Sequence, residues 1–297
     1  MNARLHTGFH MHKGCARRAS QSGSILLDAL MSLLLGAIVI GSAAASFSNT
    51  WARSSELRVK SQVHTEARIL LDMLAFDLRM AGSGLPLGQT TFSAALSSLG
   101  EEELPINSGA TSSTVTVQLN ELGTSAVLTS AFTPSANTRT IQTSTTAGFS
   151  VGDTVYVSDM PSRGTTALRG RVEAITANSI TIASSYTSSG SVSFPAGSTI
   201  EPVTTVTYAN SSAGITRDSG AGAVLLAPHS SFSITYLDSS GTALATPLSS
   251  ADIINLIRAV RLQVQLHTTN GTGTLSNQTF SAATSQTVAL RNVNLNR

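Results

Sequence analysis

Between Ile25 and Phe47 the chain reads ILLDALMSLLLGAIVIGSAAASF, a stretch whose only charged residue is Asp28. About 20 apolar residues, at about 1.5 Å of rise each, cross the hydrocarbon core of a bilayer as a helix. Within lipid every backbone polar group needs an internal partner, so a lone span of this kind is helical. Arg4, Lys13, Arg17 and Arg18 precede the run, and no acid accompanies them. That asymmetry predicts a leader held in the cytoplasm, a single pass, and a C-terminal bulk outside it. Asp28 is the anomaly: an ionised carboxylate at mid-bilayer costs roughly 2.5 to 3.5 kcal/mol, so it calls for a partner. The plain alternative is a tolerated polar residue near the interface of an ordinary anchor helix.

Composition limits the partners. Charged residues make up 11% of the 297, against about 25% in ordinary soluble domains. Ser, Thr, Gly and Ala dominate the second half, which suits an exported β-rich protein. The pI of 9.0 points toward nucleic acid, yet four of the cations sit in residues 1–23. Removing that leader turns the formal net charge from +2 to −2, and no nucleic-acid partner is expected. The only cysteine, Cys15, lies in the same leader, so no intramolecular disulfide can form. His6, His10 and His12 would be discarded with it, and no metal or cofactor is expected.

Leader, Gly23, a short apolar stretch and an acid at the fifth position beyond the glycine occur together as Gly23-Ser24-Ile25-Leu26-Leu27-Asp28. The combination resembles the class III signal of type IV prepilins and pseudopilins. The resemblance implies a prepilin peptidase that cuts after Gly23 and methylates the new N-terminus, Ser24. It also implies that Asp28 pairs with the Ser24 amine of a neighbouring subunit, an arrangement in which two opposite charges relieve each other's desolvation only by meeting closely. The sequence departs from the family in having Ser24 where phenylalanine is usual and Asp28 where glutamate is usual. The rival is a Sec signal peptide with an A-x-A site at Ala43-Ala44-Ala45. It must carry an acid within its apolar core and a leader some two dozen residues long. A lipoprotein anchor at Gly14-Cys15 is dismissed, because His12 and Lys13 stand where apolar residues are required.

The helix does not stop at the membrane. No proline follows Phe47 until Pro86, and Val63, Ala67, Leu70, Leu74 and Leu78 recur at helical spacing. Arg68 and Asp72, four apart, support an exposed face, while Gly82, Gly84 and Pro86 are stop signals. A helix from Ser24 to about Ala81 follows, about 90 Å long, with a membrane half and an amphipathic half packed on a head. Gly36 and Gly41 either loosen the membrane half or permit close helix packing. For the acids and arginines from Ala67 to Gly84 the plain alternative is a solvated helix face. That stretch, ARILLDMLAFDLRMAGSG, resembles PilW-type minor pilins, in which a comparable segment closes the long helix.

Beyond a polar connector with Glu101, Glu102 and Glu103, short β-like segments alternate with Gly, Asn, Ser and Pro. Val155 and Val157 alternate with polar neighbours, and VEAITANSITIAS offers two strands joined near Asn178-Ser179. Val260, Leu262, Val264 and Leu266 share one face of a strand, with Arg261, Gln263, Gln265 and His267 on the other. The order of Tyr208, Ile215-Thr216-Arg217, Phe232 to Tyr236, Arg258-Ala259-Val260 and Leu290-Arg291-Asn292 also resembles the PilW type. The expected fold class is α+β: a long N-terminal helix on an antiparallel β-rich head. The expected division is a cleaved leader at 1–23, the helix at 24–82 with its span at 25–47, and the head at 83–297, carrying an inserted β-module at about 130–200.

No nucleophile elbow, phosphate loop or H-E-x-x-H pair occurs, and His64, His229 and His267 are scattered, so no enzymatic activity is expected. Asp153, Asp159 and Asp238 sit in apparent turns. Tyr156, Tyr186, Tyr208, Tyr236 and Trp51 read as packing residues rather than an adhesive face. The resemblance implies a minor pilin that helps initiate or cap a type IV pilus, with other major and minor pilins as partners. Its precursor would lie in the inner membrane, and the mature chain in a pilus or pseudopilus. A type II secretion pseudopilin and a secreted β-rich adhesin or enzyme released after Ala45 are the alternatives.

Overall fold

The structure, a computed structural model, describes residues 21–85, 104–135, 139–159, 167–183, 193–270 and 278–290. Tyr186, the acidic triplet at 101–103, Pro86 and Arg291-Asn292 lie outside them. The fold is α+β: among the described residues helix α1, Gln21–Met80, precedes twelve strands, with a short helix α2, Ser250–Asn255, before the last two. Contacts divide the chain into a unit ending at Arg58 and a unit spanning Val59–Arg297. In the first unit, α1 is a bare helix with Ile25, Leu30, Leu35, Ile40, Phe47 and Trp51 all exposed.

In the second unit the end of α1 is part of a core. The expected stripe of Val63, Ala67, Leu70, Leu74 and Leu78 is buried, together with Leu71, Ala75 and Ala81. The helix ends at Met80 because Gly82 takes a φ of +83°, which an L side chain resists. The Gly82 amide then donates to Gln118 O at 2.7 Å, and the Asn120 amide to Ser83 O at 2.9 Å, tying the exit of α1 to the end of β1 (Thr114–Leu119).

The strands form two antiparallel sheets. In the larger, β3 (Thr140–Gln142), β6 (Ser179–Ile182), β5 (Ala167–Ile175), β4 (Thr154–Ser158), β7 (Thr199–Ser211), β8 (Gly214–Asp218) and β9 (Val224–Pro228) follow in that spatial order, and β1 and β2 (Ala126–Val127) also pair with β7. Strand β7 changes partners beside its proline: β4 pairs with Thr199 to Val203, and β1 takes over from Thr204. Pro202 has no amide to donate, which suits a place where one ladder gives way to another. The smaller sheet runs β10 (Ser231–Leu237), β11 (Ala259–Asn270), β12 (Gln278–Ala289). In β11, Val260, Leu262, Val264 and Leu266 are buried while Arg261, Gln263 and Gln265 are exposed, as the alternation predicts.

Two hydrophobic clusters carry most of the packing. One joins the α1 stripe to Val115, Val117, Val206, Tyr208, Ile215, Ile234, Tyr236, Leu262 and Ile253. The other draws on residues from Ala126 to Ile200, including Phe132, Ile141, Val157, Leu168 and Phe194. The strand pair β5 and β6 turns at Thr176–Ser179, where the Thr176 amide donates to Ser179 O at 2.9 Å. Strand β4 departs from the expected alternation, since Tyr156 is buried along with Val155 and Val157. It lies between β5 and β7, and its second face is covered by Leu85, Ala167 and Val203, as central strands covered on both faces are. At the start of β8, Gly214 has a φ of +137°, and a Cβ there would be driven into the Ala227 carbonyl. Only glycine allows this approach of β8 to β9.

Candidate functional site

Two polar features of α1 stand out. The first is at its start. Gly23 and Ser24 lie in the first turn of the helix, which begins at Gln21. Asp28 follows Ser24 by four residues, which places the two positions on one side of the helix about 6 Å apart along its axis. Asp28 is exposed, and from Ile25 to Trp51 almost every neighbour is exposed and apolar. The helix is long and apolar enough to cross a membrane. Several of its hydroxyls are satisfied internally: Ser42 Oγ donates to Val39 O at 2.9 Å, and Thr50 Oγ1 to Ser46 O at 2.8 Å. Such back-bonding removes the cost of carrying a hydroxyl through lipid. A Cβ added at Gly36 or Gly41 would meet nothing within 4 Å, so within the single chain neither glycine serves a close approach.

The second feature was not expected. Asp77, for which the sequence leaves a solvated helix face open, is 4% exposed. Its Oδ2 accepts from Tyr208 Oη at 2.6 Å and from Arg217 Nη2 at 3.3 Å. Arg217 Nε donates to Tyr208 Oη at 3.1 Å, Nη2 also donates to Glu121 Oε1 at 2.7 Å, and the guanidinium carbon stands 5.9 Å from the Tyr208 ring centre. Tyr208 and Arg217 face each other across β7 and β8, so one sheet rung presents two donors to the helix. Burial, then the bond and charge of Asp77, push the Tyr208 phenol above its ordinary range. Burial works against the Arg217 charge, but Glu121, Tyr208 and Asp77 more than compensate and raise its pKa further. The other expected pair on this helix, Arg68 and Asp72, is exposed at 4.0 Å and behaves as an ordinary surface contact.

The remaining candidates are local. Asp153 accepts the Ser150 amide at 2.7 Å. Asp238 accepts the Ser240 hydroxyl and the Ser240 and Thr242 amides, and these bonds lower its pKa. Both act as turn residues. Among the described residues no group of three or more His, Cys, Asp or Glu side chains could hold a metal ion. His64 and His229 are exposed on separate elements. Tyr156, Tyr208 and Tyr236 are core residues, while Trp51 is 69% exposed.

Comparison with family models, curated proteins and solved structures found no match for this chain.

Proposed function

We propose that the chain is a type IV pilin-like precursor of the minor pilin kind, cut between Gly23 and Ser24 and incorporated into a filament through α1. The observation that supports this reading is the division of one continuous 60-residue helix. Its first half exposes an apolar surface with one acid, Asp28, and its last turns belong to the core of a β-rich head. An ordinary anchor needs only the span; it has no use for a carboxylate one turn beyond Ser24.

In this reading the chemistry is done to the protein. A prepilin peptidase frees and methylates the Ser24 amine. The apolar half is then lipid-soluble before assembly and covered by other pilins' helices afterward. Among aliphatic side chains, the Asp28 carboxylate lowers its desolvation cost by meeting the Ser24 amine of a neighbour, and so sets the axial stagger of one helix on the next. The precursor sits in the inner membrane with its head outside the cytoplasm.

Co-expression with a complete pilus system, followed by shearing and fractionation, tests the role of Asp28. Wild-type chain is expected in the sheared filament fraction. Asp28→Ala is expected to be processed normally, yet to remain in the membrane fraction with at least a tenfold loss from filaments. Equal incorporation of the variant would contradict the pairing role.

A further inference from the structure

The apolar stripe that seats α1 on the head is nearly repetitive. Leu70, Leu74 and Leu78 follow one another at one-turn intervals, with Leu71 and Ala75 beside them. A slide of one turn, about 5.4 Å, would replace leucine with leucine in this row, while exchanging leucine with alanine in the row of Ala67, Leu71 and Ala75. Packed helices do move by such one-turn steps. The backbone bonds of Gly82 and Ser83 to the end of β1 oppose an axial slide at the helix exit, and the rotation of the turns before it is set by side chains.

Asp77 differs from its neighbours in direction. Its carboxylate must meet the Tyr208 hydroxyl and the Arg217 guanidinium at once, and these come from facing positions on β7 and β8. Glu121, just beyond β1, holds the same Arg217 Nη2 from another side. A one-turn slide would strand a buried carboxylate away from both donors. That is the costly case for an ion pair, whereas replacing the whole set with apolar side chains is often neutral.

We propose that Asp77 is a positioning residue, forming with Tyr208, Arg217 and Glu121 a polar latch that fixes the last turns of α1 in one rotation and register on β7 and β8. The latch contributes conformational specificity more than net stability, and it stands whether or not the chain proves to be a pilin.

Hydrogen exchange of the full chain in detergent micelles, resolved by peptide, tests it. In Asp77→Leu, amides of 63–81 are expected to exchange about tenfold faster or more, while those of β10 and β11 keep their wild-type rates. The triple variant Asp77→Leu, Tyr208→Phe, Arg217→Met separates latch from packing. Its thermal midpoint is expected within a few degrees of wild type, with exchange of 63–81 still fast. Recovery of both would overturn the proposal, because burial alone would then hold the register. An equal acceleration in every peptide of Asp77→Leu would also overturn it. If Asp77→Leu does not fold, Tyr208→Phe removes a single hydroxyl, and acceleration confined to 63–81 is expected; unchanged rates there would count against the latch.

Discussion

The two halves of α1 are continuous in backbone and opposite in environment. From Ile25 to Trp51 its large apolar residues are exposed on all sides of the helix, whereas from Val63 to Ala81 most are buried along one stripe and Ile69 and Phe76 stay exposed. A helix apolar all round needs lipid or other helices; a helix with one apolar stripe needs a single core. Hydroxyls bond back to their own helix in both halves. In the second half the buried acid Asp77 bonds to side chains 131 and 140 residues further along the chain. The first half therefore leaves its apolar surface uncovered, and the second seats its apolar stripe in a core.

Mutations can break this contrast. The largest effect is expected for Leu74→Ala, which opens a cavity at a fully buried site and should cost about 2 to 5 kcal/mol in head stability. Leu34→Ala in the exposed half should leave the thermal midpoint of the head unchanged. Equal losses in a denaturation series would show that the halves are not distinct. Gly214→Ala should come next, costing about 1 to 3 kcal/mol through strain at positive φ and collision with β9, measurable by the same method.

A smaller effect is expected at Glu201. Burial raises its pKa, partly offset by bonds with Ser125 and Asn120. A carboxyl whose folded pKa exceeds its unfolded value favours folding below the unfolded pKa, and that contribution is lost as pH rises through the folded pKa. Glu201→Gln should therefore raise the midpoint slightly at neutral pH and flatten its fall on going up from about pH 4.5. A midpoint that drops at neutral pH would contradict this. The smallest effect belongs to Arg68→Ala, which breaks an exposed pair and should change stability by less than about 0.5 kcal/mol.

Periodicity made the regular parts legible. The stripe from Val63 to Leu78 and the alternation in β11 follow from single-element patterns, and both appear as read. What escaped depends on tertiary neighbours. Tyr156 reads as a packing residue and is one, but the second covered face of β4 is not legible, because its central place is a property of the whole sheet. For Asp77 the sequence leaves a solvated face open, because its donors come from β7 and β8. A signal was present: Asp77 lies seven residues after Leu70 and three after Leu74, at the edge of the buried stripe, where an acid needs a partner. Tyr208 and Arg217 each stood out in the order of head segments, but only the β7 and β8 register joins them to one carboxylate.

The most direct test of the central claim is intact-mass and N-terminal peptide analysis of the membrane-expressed chain, with and without a prepilin peptidase. The account predicts a peptidase-dependent start at N-methylated Ser24, with α1 retained from Ser24 onward. A peptidase-independent start at Ser46 would remove the apolar half of α1 altogether and make this a secreted protein with no filament-forming helix.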